Sequence, residues 1–196
     1  MSRVLLASTS RYRHELVSRL GLDVACLSPP YDEEEAKRAL GPVTPEALVV
    51  ELARGKAASL AAHHPGAVVI GADQVAVIDG EVLGKPGTLE RACAQLERLA
   101  GREHRLLTGI AVASGGRVET ALDVHTLRMR PLSRAAIEDY VRRDAPLDCA
   151  GAYRVEALGI ALFESLRGED FTAIIGLPLT RVVTLLARFG IAPLAG

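Results

Sequence analysis

The stretch from Val68 to Pro86 constrains this chain more than any other. Val68-Val69-Ile70 is a short β-branched apolar run of the kind that forms a buried strand, and Asp73 and Gln74 then interrupt residues that are otherwise apolar as far as Ile78. Asp79-Gly80 has the composition of a two-residue hairpin loop, so Glu81 to Leu83 is predicted to return antiparallel and to end at Gly84-Lys85-Pro86. Such a fold-back would bring Lys85 near Asp73. A buried carboxylate is costly unless something pairs it. Asp73 therefore either caps a strand end or pairs with a structural Lys or Arg, or it belongs to a working site.

A chain of 196 residues with 49% hydrophobic content suffices for one well-buried core, so residues 1–196 are expected to form a single domain with room for two lobes. The formal net charge of -1 argues against a nucleic-acid or membrane-surface partner, each of which draws on a basic imbalance. Any anionic ligand must then be met by locally placed cations. Cys26, Cys93 and Cys149 are odd in number and widely spaced, which suits neither a disulfide framework nor a metal site and fits small buried hydrophobes in a reducing compartment. The opening Met1-Ser2-Arg3 runs into Val4-Leu5-Leu6 and then polar residues, too short an apolar segment for a signal peptide or a span, so a cytoplasmic protein is expected.

Taken in order, Val4 to Ala7 reads as a strand, and Ser8-Thr9-Ser10 supplies N-cap hydroxyls for a helix from Arg11 to about Leu20. A strand feeding a hydroxyl-rich turn and a helix N-terminus makes an anion site from free N–H groups and the positive dipole end. Arg11 and Arg13 sit in that first turn, either as solvated surface residues or because a phosphate lies there. The acidic cluster Asp32-Glu33-Glu34-Glu35 is either a solvated helix start, or one of Asp32 and Glu33 joins Asp73 as an oxygen ligand for a hard cation such as Mg²⁺. Thr44-Pro45-Glu46 opens a helix to about Ala62, with Lys56 on or beside its apolar face, snorkelling to water or bordering the Asp73 cleft. Thr88 caps a further helix to about Ala100 with Cys93, Leu96 and Leu99 inward, and two strands follow, Arg105 to Val112 and Arg117 to Arg128. His104 and His125 have no partner at metal-ligand spacing. A helix capped by Ser133 runs to about Arg143. The stretch Asp148 to Ile160, dense in small residues around Tyr153, Arg154 and Glu156, is either tight turn packing or a binding loop. A strand from Ala161 to Leu166, a turn at Arg167 to Asp170 and a helix from Thr180 to Phe189 complete the chain.

Over essentially its full length the sequence resembles the Maf family of nucleoside triphosphate pyrophosphatases. The likeness rests on Leu-Ala-Ser-Thr-Ser-Arg-Tyr-Arg at 6–13, Asp32-Glu33, Gly55-Lys56-Ala57, Gly71-Ala72-Asp73-Gln74-Val75, Gly84-Lys85-Pro86, Cys149-Ala150-Gly151 and Gly176-Leu177-Pro178-Leu179. Gln74, the Asp79-Gly80-Glu81 turn and Glu156 look like the branch acting on 7-methyl-GTP; the dTTP/UTP branch usually has Thr and Gln in place of Gln74 and Glu156. Two departures stand together: Arg11 where the family usually has Pro, and Tyr12 where that branch typically has Trp.

The resemblance implies an α/β fold, a single mixed elongated sheet flanked by helices with a deep central cleft, similar to that of inosine triphosphatases, and often a homodimer. It implies hydrolysis of 7-methyl-GTP to 7-methyl-GMP and pyrophosphate, clearing modified nucleotides, with Asp73 activating water and Mg²⁺ or Mn²⁺ held by Glu33 and Asp73. Ser8, Ser10, Arg13, Lys56 and Lys85 would meet the phosphates, and Tyr12, Gln74 and Glu156 the base. The alternatives are a dTTP/UTP pyrophosphatase of the same family and a nucleotide-binding regulator of septum formation.

Overall fold

The computed structural model describes residues 3–194. Strand β1 (Val4–Ala7) leads through the Ser8–Ser10 turn into helix α1 (Arg11–Ser18), then come β2 (Val24–Leu27), α2 (Glu33–Leu40) and the long α3 (Pro45–His63). Strands β3 (Val68–Ile78) and β4 (Glu81–Leu83) form the expected hairpin, followed by α4 (Leu89–Leu99), β5 (Glu103–Ser114), β6 (Arg117–Met129) and α5 (Arg134–Asp144). Two short 3-10 turns, Ala150–Ala152 and Leu158–Leu162, precede β7 (Phe163–Arg167), α6 (Phe171–Ile175) and α7 (Leu179–Ala187). Among the described residues seven strands form one sheet in the order β2-β1-β3-β5-β6-β7, with β4 paired to β3. The sheet is mixed: β1 runs parallel to β2 and β3, while β3–β4 and β6–β7 are antiparallel. This is an α/β fold with a central sheet flanked by helices.

Local chemistry sets the element ends. Ser10, Thr44, Thr88 and Ser133 each cap a helix by accepting a backbone N–H, as their positions predict. Asp79 and Gly80 take φ of 53° and 80°, the left-handed pair that a tight hairpin turn requires. Several element ends shift from the sequence reading, among them those of α1, β5, β7 and α7. The acidic run is the helix start that its composition allowed, because Asp32 accepts the N–H groups of Glu34 and Glu35 and the three glutamates favour the positive end of the dipole. The segment after Arg167 contains the additional helix α6, capped by Asp170. On α4, Ala92 rather than Cys93 joins Leu96 and Leu99 in the core.

The chain divides into two compact units. The first comprises the residues up to Asp73, Thr108–Asp123 and the residues from Asp170 onward; the second comprises Gln74–Leu107 and Val124–Glu169. In the first unit β1 is buried on both faces. Val4 and Leu6 pack with Val68, Ile70, Leu16, Val17 and the α7 residues Val182, Leu185 and Leu186, while Leu5 and Ala7 pack with Val69, Ala53, Ala57 and Leu60 of α3. Helix α3 sits unusually close to the strands: a β-carbon at Gly71 would lie 2.3 Å from the Ala53 carbonyl oxygen, and one at Gly109 would lie 2.2 Å from that of Val49. In the second unit Leu83, Leu96, Leu99, Leu106, Leu127, Ile137, Tyr140 and Phe163 are among the buried residues.

Candidate active site

The close approach of α3 to β3 decides where the charges meet. Lys56 lies one turn beyond the Ala53 contact with Gly71, and its ammonium reaches Asp73 Oδ1 at 2.7 Å. The same nitrogen lies 2.9 Å from Glu33 Oε1, at the start of α2. The Lys56 side chain is only 7% exposed and that of Asp73 12%, whereas Glu33 is 44% exposed. Removing an ammonium and a carboxylate from water costs several kcal/mol per ion before their attraction offsets it. Pairing of Asp73 with a Lys, one of the three sequence readings, is observed, but the Lys is Lys56 and it is shared with a second carboxylate.

Arg13 approaches the same place from α1. Its Nε donates to the Gly176 carbonyl and its Nη1 to the Ala72 carbonyl, both at 3.0 Å, so the guanidinium is anchored beside Asp73 by backbone. Burial lowers its pKa, and the nearby charges of Asp73 and Glu33 oppose that shift. An arginine nonetheless stays protonated in proteins. The Gly176 carbonyl is itself fixed, since the Asp170 carboxylate accepts the N–H and hydroxyl of both Thr172 and Thr180, tying α6 to α7. Burial alone would raise the Asp170 pKa, yet these four donors leave it below the usual carboxylate value.

Ser8 and Ser10 are used in the turn: Ser8 Oγ accepts the Ser10 N–H at 3.1 Å, and Ser10 caps α1. Tyr12 carries a contact that sequence did not foresee. The Arg11 guanidinium lies over its ring at 4.7 Å and donates to its hydroxyl at 2.8 Å, so the two departures from the family pattern form one pair. Tyr31 was also missed; it covers Gly55 of α3, where a β-carbon would lie 2.2 Å from the ring, and burial, with Glu33, Glu51 and Asp73 nearby, raises its pKa.

Gln74, Lys85 and Glu156 belong to the second unit. The β3–β4 register pairs Ala76 with Leu83, and continued by two steps it would set Lys85 opposite Gln74, but pairing stops at Leu83. Lys85 is exposed and lines a cavity of about 330 Å³ with Leu83, Arg91, Gln95 and Arg98. Glu156 is exposed in the segment between the two 3-10 turns.

Among the described residues no group of three or more His, Cys, Asp and Glu side chains could hold a metal ion. Glu33 and Asp73 nevertheless turn one oxygen each toward a single cationic centre, the Lys56 ammonium. Two hard oxygen donors suit Mg²⁺ or Mn²⁺, since Mg²⁺ is usually bound through one or two carboxylates together with substrate phosphates. The donor set therefore fits a divalent cation that is completed by its ligand.

Fold and site together define a mixed α/β protein with two carboxylates gathered on one lysine and an arginine anchored beside them. The Maf-like protein family model matches residues 3–189. The chain belongs to the Maf family. The 7-methyl-GTP pyrophosphatase of Bordetella pertussis is 48% identical across 99% of this chain and 96% of that protein, and that of Pseudomonas syringae pv. tomato is 46% identical across 98% and 99%. The protein of the same name from Syntrophotalea carbinolica is 45% identical across 97% and 96%. The structure of the Staphylococcus aureus Ham1 protein is similar over 66% of this chain and 72% of that one, with a TM-score of 0.49 and 15% identity. No helix among the described residues is long and apolar enough to cross a membrane.

Proposed function

We propose that residues 1–196 form one nucleoside triphosphate pyrophosphatase domain that hydrolyses 7-methyl-GTP to 7-methyl-GMP and pyrophosphate, clearing modified nucleotides. Membership of the Maf family and the shared name of relatives at 45–48% identity support the substrate class. The observation that carries the chemistry is the Lys56 ammonium held between Asp73 and Glu33, with Arg13 anchored alongside.

Water attacks the α-phosphorus, a P–O bond forms, and the α–β anhydride bond breaks to release pyrophosphate. Chemistry of this kind needs positioning and charge neutralisation more than covalent help. Asp73 orients the water and accepts its proton. Arg13, Lys56 and Lys85, with the N–H groups of the Ser8–Ser10 turn, bind the triphosphate in the deep cleft that the inosine-triphosphatase-like fold implies. Glu33 and Asp73 would hold Mg²⁺ or Mn²⁺, which when bound supplies further neutralisation at phosphate oxygens.

A 7-methylated guanine is cationic, so the Tyr12 face and the Glu156 carboxylate suit it: the carboxylate accepts from the N1–H and the exocyclic amine, and Gln74 helps to orient the ring. We further read the protein as a cytoplasmic homodimer.

Pyrophosphate release from 7-methyl-GTP, GTP, UTP and dTTP, with Mg²⁺ and after chelation, tests the reading. The expected ranking puts 7-methyl-GTP first and makes turnover depend on the added cation. A ranking led by UTP and dTTP would reassign the base, and nucleotide binding without turnover would point to the regulator.

A further inference from the structure

The segment that carries Glu156 is held far more tightly than a surface loop requires. Gly151 and Ala152 both take left-handed φ, 76° and 62°. Ala152 has a β-carbon that disfavours this conformation, which persists only where the surroundings over-determine it. A β-carbon at Gly151 would lie 2.6 Å from the Tyr153 ring, and one at Gly159 would lie 2.3 Å from the Arg154 carbonyl oxygen. The Tyr153 ring packs edge-on against Phe163 with centroids 5.0 Å apart, and its hydroxyl lies 3.0 Å from His104 Nε2.

Next to Tyr153, both the side chain and the backbone of Arg154 are tied to the last turn of α5. Its Nη2 donates to the Asp144 carbonyl at 2.8 Å and to Asp144 Oδ1, and its Nε donates to Oδ2 at 3.2 Å. The Tyr140 hydroxyl donates to Asp144 Oδ2 at 2.8 Å and accepts the Arg154 N–H at 3.1 Å. The Asp144 side chain is 5% exposed. A carboxylate at a helix C-terminus opposes the dipole, and a buried ion pair is often no more stable than an apolar replacement. Three side chains are thus committed to an arrangement that stability alone does not favour, and two residues beyond it the chain turns Glu156 outward.

We propose that the Asp144–Arg154–Tyr140 lock is the positioning device of base recognition, fixing the backbone at 153–156 so that the Glu156 carboxylate meets the donor edge of a purine. The inference rests on the role given to Glu156 above. None of the three side chains needs to touch the nucleotide. What they set is the angle and reach of the carboxylate, and a hydrogen bond weakens steeply once its alignment is lost.

The test compares kcat/KM for 7-methyl-GTP and for UTP, together with the thermal midpoint, in the wild type, Glu156→Gln, Asp144→Asn, Tyr140→Phe and the double variant Glu156→Gln/Asp144→Asn. Glu156→Gln is expected to lower the 7-methyl-GTP to UTP ratio about 10-fold, the loss of one charge-assisted hydrogen bond. Asp144→Asn should lower it about 5-fold and Tyr140→Phe about 3-fold, by partial misalignment of the same bond. The double variant should match Glu156→Gln, because a misplaced glutamine has no selectivity left to lose. A purely structural role would lower the midpoint and both kcat/KM values together and leave the ratio unmoved, and that overturns the inference. Should Asp144→Asn fail to fold, Tyr140→Phe decides on the same criterion. If Glu156→Gln itself leaves the ratio unchanged, the base reading fails and this inference with it; if only the lock variants leave it unchanged, the base reading survives alone.

Discussion

The cluster around Lys56 and the lock around Asp144 each bury a carboxylate against a basic side chain, yet they balance their charges differently. At Lys56 one ammonium serves two carboxylates, and one of these, Glu33, is 44% exposed. Arg13 stands by with its guanidinium anchored to backbone carbonyls rather than to either acid. At Asp144 one carboxylate faces one guanidinium, with a tyrosine hydroxyl completing the set. The first arrangement leaves one of its acids half-exposed, where an incoming phosphate or cation can reach it. The second is closed and can only hold shape.

The sharpest way to break this contrast is Asp73→Asn. It should keep the fold and nucleotide binding while turnover falls about 10³-fold, within the range for loss of a general base. Near-normal pyrophosphate release would remove Asp73 from the chemistry. Next, Lys56→Met and Arg154→Met each strand a buried carboxylate and should each cost about 3 kcal/mol in a urea titration. Only Lys56→Met should also abolish turnover of every nucleotide, and equal kinetic damage from both would erase the distinction drawn here.

A third effect belongs to the second unit alone. Burial holds the His104 pKa at about 4, well below its ordinary value of 6.5, and its Nδ1 has no hydrogen-bond partner among the described residues. The unfolded chain therefore binds a proton at His104 that the folded chain refuses. Stability from this group is complete above pH 6.5 and drains away as pH falls toward 4, by about 2–3 kcal/mol. Urea midpoints measured from pH 7 to pH 4 should fall less steeply in His104→Gln; parallel curves would refute the assignment. The smallest effect concerns Arg11, whose guanidinium already covers the Tyr12 ring. Arg11→Ala should free that face for a cationic base and raise the preference for 7-methyl-GTP over GTP about 3-fold, in line with an exposed cation–π contact. An unchanged preference would place base selection away from Tyr12.

Much of the fold was legible because its signals are local. Ser10, Thr44, Thr88 and Ser133 announce helix starts by hydroxyls next to apolar periodicity, and Asp79-Gly80 announces its turn by conformational demand. Asp32 and Asp170 cap helices just as well, but an aspartate in an acidic or turn-like run has several equivalent explanations, so α2 was only one of two readings and α6 was hidden. At the site, Asp73 and Lys56 could be singled out but not joined, since their contact depends on the distance between a helix and a strand, which no residue spacing reports. The Asp144–Arg154 pair was missed for a different reason. Its one signal was a negative charge in the last turn of a helix, where the dipole disfavours it, and two neighbouring arginines, Arg142 and Arg143, masked the anomaly.

The bare backbone at Gly71 and Gly109 has a consequence for how this protein can change. With no side chain as a spacer between α3 and the strands, a single added methyl would lift Lys56 away from its acids. On the function proposed above, the chemistry sits on a chassis that permits almost no drift, so a wider diet has to come from side chains outside that helix–strand contact.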